Sequence, residues 1–172
     1  MNRYQEDVKK KRIVLFTDTL CDPNGVSRFI QDMAKEAKNG GFDFYVITST
    51  KKQHCDKLQN IINVKPIIRF PIPFYSDLDF VIPPFLRLYN ITKELKPDII
   101  HISTPGYIGL GAKIISKKLN IPTNGTYHTN FPAYVRDNTK SKTIEKITIL
   151  FMRWFYKDFK KVISRSNEYL AI

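Results

Sequence analysis

Residues 12–28 read RIVLFTDTLCDPNGVSR, an apolar run followed by a polar loop and the start of a predicted helix. The short apolar run at 12–17, which is rich in branched residues, is typical of a central parallel strand, which is buried on both faces. After the loop, apolar residues recur at helical spacing from Val26 to residue 38, and two glycines at 40 and 41 end the helix. A second strand at 42–49 completes a β-α-β unit.

The same alternation continues along the chain. Further strands are predicted at residues 61–68, 98–102 and 121–127, with one more beginning at 162–164, and helices at 85–95, 107–119 and 142–157. Prolines recur among aromatic residues in 69–84, so we expect no regular structure there. Strands that alternate with helices predict an α/β fold, a doubly wound Rossmann-like parallel sheet with helices on both faces.

Composition indicates a globular domain, with 42% hydrophobic residues among 172. Residues 1–11 are a polar, basic lead-in, and 12–172 form the predicted domain. The N-terminus lacks the apolar core of a signal peptide, and no apolar run approaches the ~20 residues that span a bilayer, so we expect a cytoplasmic protein. Cys21 and Cys55 have no metal-binding spacing, and we expect reduced thiols.

The chain carries a formal net charge of +12, and half of it lies in residues 136–165. Such a charge suits nucleic acid, an anionic membrane face or a phosphorylated substrate, and a solvated lysine-rich surface is the simpler alternative. Basic residues alone give only non-specific nucleic-acid affinity, and no recognised nucleic-acid motif is present, so nucleic acid is the less favoured partner. A membrane surface is favoured because the same stretch is rich in large apolar residues.

The helix predicted at 142–157 has two apolar stripes. One stripe is expected to pack on the sheet, and the other then needs a second partner, either another domain or a membrane surface. The first comprises Ile147, Leu150, Phe151, Trp154 and Phe155, and the second Ile149, Met152 and Tyr156.

Asn24 and Gly25 open the first helix and form a candidate phosphate site. Backbone N–H groups at a helix N-terminus favour anions, and a glycine lets a ligand approach the backbone closely. A plain tight turn is the alternative, since Asn-Gly is a common turn dipeptide. The spacing matches neither GxGxxG nor a P-loop. Arg28 lies one turn further on, where it is either a second anion contact or a surface arginine.

His128 follows the strand predicted at 121–127. All strand ends of a parallel sheet open onto one crevice, so His128 and Gly25 are expected to face the same site. A structural role is the alternative for His128, and it is the expected role for His101, inside its strand, as a satisfied buried or half-buried histidine. His54 carries no signal.

Two further candidates for ligand contact follow predicted strands. Asp18 is placed either to bind sugar hydroxyls or to cap nearby backbone N–H groups. Thr104 lies in a strand-to-helix turn. No metal-ligand cluster or Ser-His-Asp set is recognisable.

Four segments of the chain, residues 17–28, 96–106, 125–134 and 153–156, resemble one known family in order and spacing. Together they resemble the N-terminal, acceptor-side domain of family 4 glycosyltransferases of the GT-B fold (glycosyl transferase group 1), in a mannosyltransferase-like branch. The strongest match is the segment that contains His128. The resemblance covers nearly the whole chain.

The resemblance implies a retaining transfer of a hexose from a nucleotide sugar, of the GDP-mannose or UDP-hexose type, to a lipid-linked or sugar acceptor. No metal or other cofactor is required in the family. Asn24 and Gly25 then lie against the donor phosphates, and His128 contacts the donor sugar near the reaction centre. Asp18, Arg28 and Thr104 are looser candidates for acceptor or phosphate contacts.

The family's nucleotide-binding half would follow residue 172, so by this resemblance the isolated chain is expected to be inactive without that partner domain. A peripheral position at the inner face of the membrane is also implied. The alternative function is a non-catalytic basic α/β module that binds nucleotide, nucleic acid or an anionic membrane.

Overall fold

The computed structural model describes residues 10–52, 58–72 and 75–164. Most of the predicted lead-in, together with His54, Cys55 and the residues after 164, lies outside that part. The elements in chain order are β1 Ile13–Phe16, α1 Gly25–Asn39, β2 Phe44–Thr48, β3 Ile61–Asn63, β4 Ile68–Ile72, β5 Tyr75–Ile82, α2 Phe85–Leu95, β6 Ile99–Ile102, α3 Tyr107–Leu119, β7 Thr123–Tyr127, α4 Phe131–Thr139, α5 Lys142–Tyr156 and β8 Lys161–Ser164.

Six strands form one parallel sheet in the order β3-β2-β1-β6-β7-β8. The chain winds outward from β1 in one direction and then returns to β6 and winds in the other. This doubly wound topology was predicted from the sequence and is confirmed. The order reverses between β1 and β6, and the crevice outside the carboxyl ends of such strands is where open α/β sheets bind ligands.

Helices cover both faces of the sheet because successive side chains of each strand point to opposite faces. Leu15 packs with Ile30 and Ala34 of α1 on one face. Its neighbours Val14 and Phe16 belong to the cluster on the other face, together with residues of α2, α3 and α5. The central strand is therefore buried on both sides, as its unbroken apolar run indicates.

Residues 69–84 depart from the prediction of irregular structure, which is wrong. β4 and β5 pair as an antiparallel hairpin, with Ile68 opposite Ile82 and a register irregularity between Pro71 and Ile72. A two-stranded ribbon has open edges, and a proline is tolerated at an edge or a bulge. The strand predicted at 61–68 is correspondingly split, since β3 ends at Asn63 and β4 begins at Ile68.

The helix α4 was not predicted. Its signals are local, because the Asn130 side chain accepts a hydrogen bond from the N–H of Ala133 and Pro132 lies in the first turn. An asparagine N-cap followed by a proline in the first turn is a recognised helix start.

The helix α5 has one packed face and one open apolar face, as expected, but the two stripes differ from the prediction. Thr148, Met152 and Phe155 are the buried residues. The open stripe comprises Ile144, Ile147, Leu150 and Trp154, which are 42%, 61%, 63% and 52% exposed. The predicted first stripe is thus divided, because Phe151 and Phe155 turn toward the core.

Two further observations bear on the sequence-based expectations. Cys21 is disulfide-bonded, so the expectation of a reduced thiol at that residue is wrong. Among the described residues, no helix has both the length and the hydropathy needed to cross a bilayer.

Candidate active site

Polar side chains connect the carboxyl ends of β1, β6 and β7. The Thr104 hydroxyl, after β6, donates to the Asp18 carboxylate, after β1, at 2.7 Å. Ser103 Oγ and His128 Nε2 lie 2.8 Å apart and connect the ends of β6 and β7. Asp18, Thr104 and His128 are therefore gathered at one edge of the sheet, next to the reversal of strand order.

Asp18 caps the N-terminus of α3. The residue follows β1, and the helix follows the neighbouring strand β6. Its carboxylate accepts from the backbone N–H of Gly106 (3.1 Å), Ile108 (2.8 Å) and Gly109 (3.4 Å) as well as from Thr104. The helix has no side-chain cap of its own. Burial raises the pKa of Asp18, and the four donors act in the opposite direction. The capping alternative describes this aspartate, and contact of Asp18 or Thr104 with a ligand stays a prediction.

His128 lies between β6 and α1. Ser103 contacts its Nε2, and the ring of Phe29 from α1 meets it edge-on, with ring centroids 6.0 Å apart. Phe29 is one turn beyond Gly25, so the first turns of α1 and the end of β7 are neighbours. This contact agrees with the expectation that the helix start and the histidine face one site, which stays a prediction.

His101 has a different environment. Its Nε2 lies 2.8 Å from Thr126 Oγ1, and burial, followed by the charge of His128, lowers its pKa to about 4. The prediction of a satisfied, half-buried histidine is confirmed.

The loop before α1 is held by Asn24. Its side-chain oxygen accepts from the N–H of Ser27 at 2.9 Å, and its side-chain nitrogen donates to Thr19 Oγ1 at 3.0 Å. The Arg28 N–H bonds to the Asn24 carbonyl. The amides of Gly25 and Val26, like the first N–H groups of any helix, have no intrahelical acceptor.

Gly25 is required neither by backbone conformation nor by packing. Its φ lies outside the left-handed region, and an added Cβ would meet no atom within 4 Å. A cavity of about 370 Å³ opens at this turn. It is lined by Asp22, Pro23, Asn24, Gly25, Arg28 and Gln31. The glycine thus borders empty space at a helix N-terminus.

The two helix N-termini at this edge differ in their occupancy. The N-terminus of α3 holds the Asp18 carboxylate, whereas α1 has no acidic residue in its first turn. The nearby Asp22 is paired with Lys52. Arg28 lines the cavity, but its guanidinium lies along α1 on Asp32 at 3.3 Å and is well exposed. The first turn of α1 therefore has no carboxylate of its own, and anion binding there stays a prediction.

Sequence reasoning missed two contacts at this edge, namely Ser103 with His128 and Asp18 with the start of α3. Both depend on which strands are neighbours. Among the described residues, no group of three or more His, Cys, Asp or Glu side chains is arranged to hold a metal ion.

Comparison with known families is consistent with this geometry. The model of Glycosyltransferase Family 4 matches residues 23–171. The chain belongs to glycosyltransferase family 4. The matched residues include Gly25, Thr104 and His128 of the candidate site, whereas Asp18 precedes the first matched residue.

Curated relatives of this family 4 domain include glycolipid and mannosyl transferases. It is 33% identical over 161 residues to an alpha-monoglucosyldiacylglycerol synthase of Streptococcus pneumoniae, covering 91% of this chain and 35% of the relative. A GDP-mannose-dependent alpha-mannosyltransferase of Mycobacterium tuberculosis is 24% identical over 114 residues, covering 64% of this chain and 30% of the relative. The chain thus spans about a third of the length of these relatives.

Solved structures show the same fold. An alpha-glucosyltransferase in complex with UDP and a 13-mer DNA superposes with a TM-score of 0.55 at 14% identity, covering 91% of this chain and 37% of that chain. The family 4 domain is the N-terminal, Rossmann-like half of a GT-B fold, as the sequence predicts.

Proposed function

We propose that this family 4 domain is the acceptor-side half of a retaining hexosyltransferase that uses a nucleotide sugar of the GDP-mannose or UDP-hexose type. The observation that supports this most is the open N-terminus of α1, with Gly25 beside a cavity and His128 next to the same helix. The family relationship and the names of the relatives support hexosyl transfer as the reaction class.

The start of α1 is suited to the donor diphosphate. The amides of Gly25 and Val26 and the positive end of the helix dipole supply charge stabilisation at this position without a metal ion. Arg28 adds a cation, because its exposed pair with Asp32 is worth only about 0.3–0.5 kcal/mol and is readily exchanged for a phosphate. Asn24 holds the loop in shape.

His128 is the proposed catalytic residue. It lies at the crevice edge with its ring held between Ser103 and Phe29. An imidazole there supplies hydrogen bonding to a hydroxyl of the donor sugar and stabilises positive charge that develops near the anomeric carbon.

A lipid-linked acceptor is favoured over a soluble sugar by exposed apolar residues on β4 and at the start of α2. α2 and β5 both contact α3, and β4 pairs with β5. The exposed apolar residues of this region are Ile67 just before β4, Ile68 and Phe70 in β4, and Phe85 and Leu86 at the start of α2. Single exposed apolar residues are ordinary, but a contiguous group indicates an apolar ligand or partner. Two relatives are named as glucosyldiacylglycerol synthases, which agrees with this proposal.

An anionic membrane is the proposed partner of α5. In a helical projection, its open stripe lies next to Lys142, Lys146, Arg153 and Lys157, and none of these forms an ion pair within the described residues. An exposed apolar stripe beside uncompensated cations is typical of a helix in the plane of a membrane interface.

Trp154 is the single tryptophan of the chain and lies in the stripe, so its fluorescence should shift to the blue with phosphatidylglycerol vesicles and not with phosphatidylcholine alone. No shift with either would refute the membrane partner.

The deciding experiment for the transfer reaction uses the full-length protein with labelled UDP-glucose and GDP-mannose and with diacylglycerol or sugar acceptors. Gly25→Ala should melt like the wild type, because its Cβ meets open space, but it should raise the KM for the donor at least several-fold. His128→Ala should lower kcat. Proton NMR of the product gives the anomeric configuration and tests retention.

Two results would contradict the proposal. One is full-length protein that transfers no hexose from either donor. The other is transfer that His128→Ala leaves unchanged. Salt-sensitive binding to DNA or RNA that no sugar nucleotide displaces would instead favour the non-catalytic basic module. The isolated 172-residue chain is expected to be inactive, and a cytoplasmic location stays a prediction.

A further inference from the structure

Two side-chain hydrogen bonds connect β6 and β7 on the same face of the sheet. His101 pairs with Thr126, and Ser103 pairs with His128, each at 2.8 Å and each 25 residues apart in sequence. Residues two apart on a strand point to the same face, so the two contacts are successive rungs between neighbouring strands. The rung of Ser103 is the one at the crevice.

Ser103 is held rigidly. Its N–H donates to the Phe16 carbonyl of β1 at 2.9 Å, and its side chain is buried, with only 2% of the residue exposed. The next residue, Thr104, is fixed to Asp18 by two hydrogen bonds of 2.7 Å. The hydroxyl of Ser103 therefore reaches Nε2 of His128 from a segment anchored on both sides.

We propose that Ser103 is the positioning residue of His128: its hydroxyl fixes the rotation of the imidazole that faces the donor sugar. The terminal torsion of a histidine is broad, so a ring without a partner samples many orientations. A hydroxyl can donate to Nε2 or accept from it, so the contact with Ser103 holds the ring in place in either tautomer. Phe29 limits the same ring from the side of α1.

The inference rests on the proposed function for its catalytic meaning, whereas the contact itself is independent of any activity. Misplacement of a catalytic group by about 1 Å costs on the order of 10²-fold in rate. Loss of the Ser103 hydroxyl should therefore lower kcat by ~10-fold or more and leave the KM for the donor within about twofold, because the phosphate site at α1 is untouched.

Nitrogen-15 NMR of the imidazoles tests the positioning directly in the 172-residue chain. The chain has only three histidines, and His128→Gln identifies the signal of His128. In the wild type, the hydrogen bond to Ser103 should hold the nitrogen shifts of His128 away from those of a free imidazole. In Ser103→Ala the two nitrogen shifts should move toward those of a free imidazole, and Ser103→Thr, which keeps the hydroxyl, should restore them.

Thr126→Val is the matched control, because it removes the hydroxyl of the other rung with little change in volume. It should alter the signals of His101 and leave those of His128 in place. In the full-length protein it should also keep kcat, whereas Ser103→Ala should not. Thermal melting of each variant checks that the sheet is intact.

Unchanged His128 shifts in Ser103→Ala would overturn the inference, and so would a loss of kcat that Thr126→Val reproduces. If Ser103→Thr fails to fold, the comparison of Ser103→Ala with Thr126→Val decides alone. Full-length protein without any transfer would refute the proposed function, while the imidazole spectra would still decide the role of Ser103.

Discussion

Acid should destabilise the domain through His101. Burial lowers the pKa of this histidine from 6.5 to about 4. Between these two values the unfolded chain binds a proton that the folded chain does not, so the stabilisation is present above pH 6.5 and is lost as the pH falls. A shift of this size corresponds to about 3 kcal/mol in the free energy of unfolding once the folded histidine is fully protonated. About 2 kcal/mol of this is lost by pH 5.

Urea unfolding at pH 7.5 and at pH 5 measures this effect. His101→Gln cannot titrate, so the difference in its free energy of unfolding between the two pH values should be smaller than that of the wild type by about 2 kcal/mol. Thr126→Val keeps the burial that is the main cause of the lowered pKa, so it should keep the acid sensitivity. Equal acid losses in the wild type and in His101→Gln would refute the reasoning.

Three further substitutions test the packing around the site by urea unfolding. Asp18→Ala should cost about 3 kcal/mol, because it leaves buried amides at the start of α3 without their charged acceptor, and a loss under about 1 kcal/mol would contradict the capping role. Gly109→Ala should lower the free energy of unfolding by about 3 kcal/mol or more, since its Cβ would lie 2.0 Å from a backbone oxygen. Gly25→Ala, whose Cβ meets open space, should leave the free energy of unfolding unchanged or raise it slightly. Lys113→Met should cost about 2 kcal/mol, because the buried Lys113 ammonium donates to two carbonyls at the end of α5, and an unchanged midpoint would show that those carbonyls find other partners.

The alternation of strands and helices was predictable because a strand that is buried on both faces, and a helix that packs on a sheet, each have a simple local sequence pattern. The unbroken apolar run of β1 and the helical spacing of α1 are both local patterns. The hairpin of β4 and β5 was missed for the opposite reason, since its prolines argue against a strand wherever the edges of the sheet are unknown.

The candidate site divides in the same way. Gly25 and His128 were placed at one edge by a general property of parallel sheets, and the contact between α1 and His128 agrees with that placement. The pairing of Ser103 with His128 was not foreseen, and capping by Asp18 was foreseen as an alternative but not its target, α3. Both contacts depend on the order of β1, β6 and β7 in the sheet. They join residues 25 to 91 apart in sequence, and no local sequence pattern indicates such contacts.

The cap on α3 has a consequence for the order in which the domain forms. β1 can pair with β2 soon after both are synthesised, but its other partner, β6, and the helix that needs Asp18 emerge more than eighty residues later. Closing so long a loop is slow, and topologies rich in distant contacts fold slowly. The middle of the sheet, where the ligand crevice lies, is therefore expected to close late on the ribosome, although β1 is synthesised long before its second partner.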